Sequence, residues 1–433
     1  MIHAIKGMRD ILPPETALWR RFEAEAREVF RLYGFGEIRT PVLEPTELFS
    51  RAVGAETDIV GKEMFSFQDR DESWLSLRPE ATASVVRAYV EHRLWERGGL
   101  TRLYYLGPMF RRERPQKGRY RQFSQIGAEA LGGGEPVVDY QVLEMLDLLV
   151  ARCGLKAELR LNSIGCPADR ARYQEALRAA VAPRLSQMCA DCQRRFQTNP
   201  LRILDCKVAA DQPIIVALPT IEEFLDAPCR EHFAGLRRLL EAGGIAYQLA
   251  PRLVRGLDYY NRTAFEFVHG ALGAQNALLG GGRYDGLARA LGAPASPPSI
   301  DQAIGFAIGE DRWVLAMQAA EGAAGAAPAA LDLYVIPIGA AMAEAALAVA
   351  RQARRAGLAA ETGDGSRKLG KLLELAARSG ARGAVLVGEA EQAKGMVVLR
   401  DLASGQQREL RPEELASGLA AAAPGAVARE AAL

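Results

Sequence analysis

The densest chemistry in the chain lies between Gly107 and Glu129, GPMFRRERPQKGRYRQFSQIGAE, where Arg111, Arg112, Arg114, Lys117, Arg119 and Arg121 are bracketed by apolar flanks of strand character. Read with a period of two, Arg111 and Glu113 share one face of a first strand, and Phe123, Gln125, Gly127 and Glu129 share one face of a second. Pro115 and Gly118 supply turn chemistry between them. A long antiparallel hairpin of this kind presents guanidinium groups, an aromatic face and two carboxylates to one pocket. A nucleoside triphosphate needs that mix: cations for phosphates, a π-face for the base and an acceptor for an exocyclic amine. Two plainer uses fit the same residues, an RNA-facing basic hairpin without chemistry and a solvated surface ribbon.

Four further segments carry unusual combinations. Leu77 to Thr82, LRPEAT, puts Glu80 and Thr82 just before a helix, where Thr82 serves as N-cap or binds a ligand's ammonium group together with Glu80. Arg255 to Tyr260, RGLDYY, crowds a cation, a carboxylate and two phenols between strands. Leu279 to Gly286, LGGGRYDG, lets backbone approach a ligand closely. Gly305 to Arg312, GFAIGEDR, is an apolar strand leading to an arginine at a helix start. Each has an ordinary alternative: a surface loop, a turn, a surface charge.

The elements that must position these residues are of mixed type. Helices are expected over 19–33, 84–95, 137–153 and 169–185, and strands over 35–43, 103–110 and 155–164. A middle stretch from about Arg170 to Gly243 is richer in helix signals and reads as an inserted helical subdomain. Strands return at 247–253 and 263–268, and a helix at 304–317. The low-complexity run 321–330 marks a linker. Beyond it, strand and helix alternate through LDLYVIPIG, GARGAVLVG and GMVVLRDL, which predicts a small α/β domain over 331–425, with a frayed tail at 426–433.

Bulk numbers bound the partners. The 433 residues are 49% hydrophobic and 25% charged with net charge +1, so a polyanion must be held by local basic patches rather than a global field. No apolar run is long enough to span a membrane, and the charged start lacks a signal peptide, so a cytoplasmic location is expected. Cys189-Ala-Asp-Cys192 followed by Cys206 has the start of a zinc-site spacing, with Cys166 or Cys229 as a fourth ligand. A second CxxC or CxxH pair is missing, so the favoured expectation is no metal, with free thiols packed as small hydrophobes.

Taken in order, these segments resemble the class II aminoacyl-tRNA synthetases, and among them the histidyl-tRNA synthetases. The hairpin resembles the second signature motif of that class and FAIGEDR the third, with GEDR where GLER is commoner. PVLEP (41–45) resembles the end of the first, at the dimer interface in the family; RGLDYYNRTAFE and LGGGRYDGL resemble the two peptides peculiar to the histidine enzymes. The resemblance runs from KGMRDILPPE (6–15) to the C-terminal domain. It implies an α+β fold: an antiparallel-sheet catalytic domain over 1–320 with the inserted subdomain at about 170–243, and an anticodon-binding domain over 331–425.

The resemblance also implies a reaction. The carboxylate of histidine attacks the α-phosphorus of ATP, with magnesium bridging the other phosphates, and the adenylate then passes its acyl group to the terminal ribose of tRNA(His). Two anions meet in line, so fixed cations should dominate catalysis. By resemblance, Arg111 and Arg255 hold the α-phosphate from two sides, Arg119 and Arg312 steady the β- and γ-phosphates, Phe123 and Arg312 sandwich the adenine, and Glu113 accepts from its amino group. Glu129 and Tyr260, aided by Tyr259, would serve the two ring nitrogens of histidine, and Glu80, Thr82 and Gln125 its α-ammonium; Ala81 and Tyr284 complete that set. Gln116 at the hairpin tip would meet the acceptor stem, and Arg351, Arg354, Arg355, Arg367, Lys368 and Lys371 offer charge to RNA phosphates. A homodimer is implied too. The competing family reading is the histidine-binding regulatory subunit of ATP phosphoribosyltransferase, whose members lack the anticodon module.

Overall fold

The computed structural model describes residues 2–54, 57–116, 118–270, 277–321 and 331–420. Lys117, most of the expected linker and the expected tail at 426–433 lie outside the described residues. The chain divides into two compact units, Met1–Gly325 and Ala326–Leu433.

The first unit is built on an eight-stranded sheet in the spatial order Gly36–Glu37, Thr101–Phe110, Gln122–Leu131, Ala303–Gly309, Ala277–Arg283, Asn261–Val268, Glu158–Ser163 and Tyr247–Leu249. The two outermost pairings are parallel and the five between them antiparallel. Period-two alternation sends Tyr104 to one face and Tyr105 to the other. On the Tyr104 face lies the helix Glu15–Leu32, whose Leu18, Trp19, Phe22, Ala26, Val29 and Phe30 form one buried stripe. Phe30 lies 4.8 Å from Tyr104, and Phe22 stacks at 4.7 Å on Trp313 of the helix Glu310–Glu321. The opposite face carries a core in which Tyr105 and Met109 meet the helices Thr46–Val53, Thr82–Glu91 and Leu287–Ala290.

The single strand expected at 35–43 is split. Gly36–Glu37 joins the large sheet, while Leu43–Pro45 joins a separate three-stranded sheet with Trp74–Leu77 and Phe65–Gln68. Buried Arg78 explains the break. Its guanidinium donates to the Thr40 carbonyl at 3.0 Å and to the Pro108 carbonyl at 3.0 Å, which draws the intervening chain out of the ladder.

Between Glu158–Ser163 and Tyr247–Leu249 come the helices Pro167–Val181, Ala190–Thr198, Gln212–Val216 and Ala227–Ala242, joined by 3-10 turns. Residues from Tyr173 to Cys229 share a core of their own. The last helix, in contrast, turns its far half toward the main body. A Cβ at Gly235 would sit 3.0 Å from Pro136, and one at Gly243 only 2.9 Å from a Tyr140 ring carbon.

Under the sheet, Arg283 is wholly buried. It donates from Nε to Asp139 at 2.8 and 3.1 Å, from Nη1 to Asp285 at 3.0 Å and from Nη2 to the Gly133 carbonyl at 2.9 Å. Burial alone would raise Asp139, yet the charges of Arg283 and His232 outweigh it and hold the carboxyl below its ordinary value. Asp139→Ala would leave this guanidinium with Asp285 and the Gly133 carbonyl alone, and the expected loss is about 1.5–3 kcal/mol, that of a hydrogen bond between charged groups. Urea unfolding followed by tryptophan fluorescence measures it, and a loss below about 1 kcal/mol would show that the pair contributes little.

The second unit is an α/β layer. Its five strands run in the order Ala360–Thr362, Leu333–Pro337, Gly383–Val387, Val397–Asp401 and Gln407–Leu410, the first three parallel and the last two antiparallel. LYVIP and GAVLV are buried along their whole length because helices cover both faces. Ala343–Arg355 packs on one face and Leu369–Arg378 on the other.

Candidate active site

The face formed by Phe123, Gln125, Gly127 and Glu129 exists as expected, on a strand paired without slippage from Gln122 to Leu131. Its neighbour differs. Arg111 and Glu113 do not lie on a strand, because the first arm ends at Phe110. Arg111 still donates its N–H to the Arg121 carbonyl at 2.8 Å, but the N–H of Arg112 turns away to the Glu63 carbonyl at 2.7 Å. The ladder therefore opens into a loop, closed at its tip by paired backbone bonds between Gln116 and Arg119.

Glu129 is the hub of one half of the site. It is fully buried, accepts from the Thr82 hydroxyl at 2.8 Å on one oxygen and from the Tyr284 hydroxyl at 2.6 Å on the other. Burial pushes it up to about 8, opposed by those two hydroxyls and reinforced by the charge of Glu80. Room for the carboxylate comes from the adjacent strand: a Cβ on Gly305 would stand 1.6 Å from a Glu129 oxygen. Tyr259, Tyr260 and Tyr284 wall the space, with ring centres 4.7 Å apart for the first pair and 5.7 Å for Tyr259 and Tyr284.

Glu80 does something the sequence did not disclose. Its two oxygens accept from the backbone N–H groups of Thr82 at 2.7 Å and Ala83 at 2.9 Å, capping the helix Thr82–Glu91. The residue in the N-cap position is Ala81, so Thr82 is not the N-cap; it is the first helical residue and points its hydroxyl at Glu129. Burial is the main cause that raises Glu80, and Arg111 opposes it through its charge. An acceptor spent on a helix end is less available to a ligand ammonium, which qualifies the role expected for it.

The other half is cationic. Arg119 forms an ion pair with Glu113 at 2.7 Å, Arg111 stands 3.9 Å from the same carboxylate, and the Arg111 guanidinium lies 5.4 Å from the Phe123 ring centre. Arg111 also donates to the Pro79 carbonyl at 2.9 Å, which ties the hairpin to the Glu80 segment. Arg255 donates to Glu266 at 2.5 Å and lies over Tyr260 at 5.4 Å. The second glycine-rich peptide makes space for it, since a Cβ on Gly280 would be 2.5 Å from Arg255 Nη1. The triple glycine thus admits a side chain of this protein, where the sequence suggested a ligand. Arg312 donates to the Gly118 and Ala277 carbonyls at 3.3 Å each; burial, followed by the charge of Arg119, lowers it. Glu113, Glu266 and Arg111 also act on Arg312 through their charges, so the five arginine and glutamate groups face one region.

Buried polar atoms without a partner include Gln125 Oε1, Arg255 Nε and the Tyr105 hydroxyl oxygen. Leaving one such group unpaired costs about 1–3 kcal/mol, which a polar ligand would recover. Beside Arg255 and Tyr260 a cleft of about 820 Å³ continues past Arg170, Arg195 and Arg202 of the inserted segment.

Arg9 is a residue to which the sequence assigns no role. It bonds both oxygens of Glu15 at 2.8 and 2.9 Å, reaches Asp311 at 2.9 Å and lies 4.9 Å over Tyr120 of the hairpin loop. The Arg121 N–H donates to the Gly7 carbonyl at 2.7 Å alongside. Asp311 is thereby committed to Arg9, and the GEDR spelling leaves Arg312 to the cationic cluster. No local pattern announces a bond 302 residues long.

Residues 7–312 match the family model described as histidyl-tRNA synthetase, and residues 332–421 match that of an anticodon-binding domain. The chain belongs to the histidyl-tRNA synthetase family. The histidine–tRNA ligase of Solibacter usitatus is 54% identical over 98% of this chain and 100% of its own length. That of Koribacter versatilis is 54% identical over 96% of this chain and 95% of its own. Among solved structures, the S. aureus histidyl-tRNA synthetase superposes with TM-score 0.78 at 33% identity, covering 97% of this chain and 100% of that one. In this histidyl-tRNA synthetase family member, Tyr284 of the 279–286 segment bonds Glu129, and Gly280 of the same segment and Tyr260 of the 255–260 segment lie against Arg255.

Proposed function

We propose that this protein ligates L-histidine to tRNA(His) in two steps, with ATP taken as its magnesium complex. In the first, the histidine carboxylate attacks the α-phosphorus and pyrophosphate leaves. In the second, the terminal ribose hydroxyl takes the acyl group and AMP leaves. The observation that carries this reading is the junction of two half-sites. Arg111, Arg119, Arg255 and Arg312 stand about Glu113 and Glu266, while Glu129 lies on the large sheet and Tyr260 and Tyr284 flank the ends of two of its strands.

Arg111 and Arg255 hold the α-phosphate, where charge builds as carboxylate and phosphate approach. Arg119 and Arg312 take the leaving pyrophosphate. Phe123 and Arg312 sandwich the adenine, whose amino group donates to Glu113. Glu129 accepts a ring N–H of histidine and Tyr260 serves the other nitrogen, so an amino acid without both ring nitrogens leaves buried groups unpaired. Gln125, with its unpartnered Oε1, and Thr82 receive the α-ammonium. Gln116 at the loop tip meets the acceptor stem. In the anticodon-binding module, Arg354 donates to the Ala360 carbonyl at 2.9 Å and Lys371 to Glu374 at 2.9 Å, so Arg351, Arg355 and Lys368 are the better candidates for RNA phosphates. A cytoplasmic homodimer fits the PVLEP segment and the absence, among the described residues, of any helix long and apolar enough to cross a membrane. The regulatory-subunit reading has less support, because the chain carries a match to the anticodon-binding model at 332–421.

The test is ATP–pyrophosphate exchange with the full-length protein. Exchange that requires histidine is expected; exchange indifferent to histidine would mean the amino acid is misassigned, and none at all would remove the enzyme reading.

A further inference from the structure

We infer that Cys189, Cys192, Cys206 and Asp211 of the inserted segment hold one zinc ion. Sequence spacing offers three thiols with Cys166 or Cys229 as the fourth ligand, but the fold places those two in a different cluster. The fold supplies Asp211 instead. One ligand atom from each of the four residues lies within 4.8 Å of all the others. They come from separate short pieces. Cys189 precedes the helix Ala190–Thr198 and Cys192 sits in its first turn, Cys206 follows the 3-10 turn Pro200–Asp205, and Asp211 ends the turn Ala209–Asp211.

The distances suit a tetrahedron. With Zn–S of about 2.3 Å and Zn–O of about 2.0 Å, the edges are about 3.8 Å between sulfurs and about 3.5 Å from sulfur to oxygen. Cys189 Sγ lies 3.8 Å from Cys206 Sγ, and Cys206 Sγ lies 3.2 Å from Asp211 Oδ2. The shell around them is also fitted to anionic sulfur. The Val208 N–H points at Cys206 Sγ at 3.4 Å, and the Cys189 N–H steadies Asp211 at 3.1 and 3.2 Å. Cys192, Cys206 and Asp211 are buried, so an ion held among them would be shielded from water. Three soft thiolates with one carboxylate favour zinc over magnesium or calcium.

The second cluster, Cys166, Asp169, Asp226 and Cys229, lacks this character. Its carboxylates are engaged as helix caps, Asp169 accepting from the Cys166 N–H at 3.1 Å and Asp226 from the Cys229 N–H at 2.8 Å. The metal site is the first cluster. Its reach extends to the reaction site, because Arg202, four residues before Cys206, donates to the Gly256 carbonyl at 3.0 Å next to Arg255.

Full-length protein produced with added zinc should carry about one equivalent of metal per chain. Cobalt exchanged for it should give the visible bands of a tetrahedral site and thiolate-to-cobalt charge transfer. Cys206→Ser and Asp211→Asn should lose most of the metal, and Cys229→Ser should keep it. Should Cys206→Ser fail to fold, Asp211→Cys provides the second reading, retaining one equivalent with altered cobalt bands. Wild-type protein with less than about a tenth of an equivalent and no cobalt spectrum on titration overturns the proposal. So does metal retained in Cys206→Ser and lost in Cys229→Ser.

Discussion

Arg255→Ala lowers the rate of histidine-dependent pyrophosphate exchange by about 100- to 1000-fold, the range for removal of one preorganised donor from a developing anion. The arginine is held for that task from three sides: Glu266 takes Nη1, Tyr260 lies under its plane, and Gly280 leaves the floor open. Arg255→Lys should recover little, since a compact ammonium cannot bond Glu266 and a phosphate oxygen in the same fork geometry. The loss belongs in kcat more than in the KM for histidine, because the contact strengthens as charge builds at phosphorus. Exchange within twofold of wild type in both variants would refute the role.

Glu129→Gln raises the KM for histidine roughly 10- to 100-fold, corresponding to loss of a charge-assisted hydrogen bond of about 1.5–3 kcal/mol. The wild-type protein should also betray this carboxylate by its pH dependence. Glu129 sits near 8, so below that value it carries a proton that must leave for it to meet the imidazole N–H as a charged acceptor. Binding that lowers a group's pKa releases protons, and the ligand then binds more tightly as pH rises. Affinity should climb by up to tenfold per unit from about 6.5, where imidazole itself becomes neutral, to about 8, and flatten above. Calorimetry at pH 7 in two buffers of different ionisation enthalpy counts the proton. Glu80 is also raised by burial, so Glu129→Gln is the control: the slope should vanish with it. No proton release in wild type, or an unchanged slope in the variant, would sink the assignment.

How much of this was legible depended on the range of each interaction. Phe123, Gln125, Gly127 and Glu129 could be read as one face because a regular strand repeats every two residues and its pairing holds to Leu131. The same rule failed at Arg111 and Glu113. There the Arg112 N–H bonds Glu63, a partner nearly fifty residues away that no periodicity encodes. Glu80 was picked out for its charge, yet its helix-capping bonds are set by backbone angles two residues on. The Arg9–Asp311 and Cys206–Asp211 pairings were hidden because neither follows a spacing rule. The apolar strands of the second unit were plain in LYVIP and GAVLV, since burial on both faces leaves no alternation to mistake.

The bare floor under the pocket limits how the choice of amino acid can change. With Gly280, Gly282 and Gly305 each already overlain by Arg255, Tyr260 or Glu129, even one methyl group there displaces a recognition group rather than trimming the space. Redesign toward a substrate other than histidine is therefore confined to the walls, the start of the Thr82 helix and the loop ending at Tyr260. Those are the places where a library of variants that keeps Arg255 would find altered selectivity without forfeiting activation.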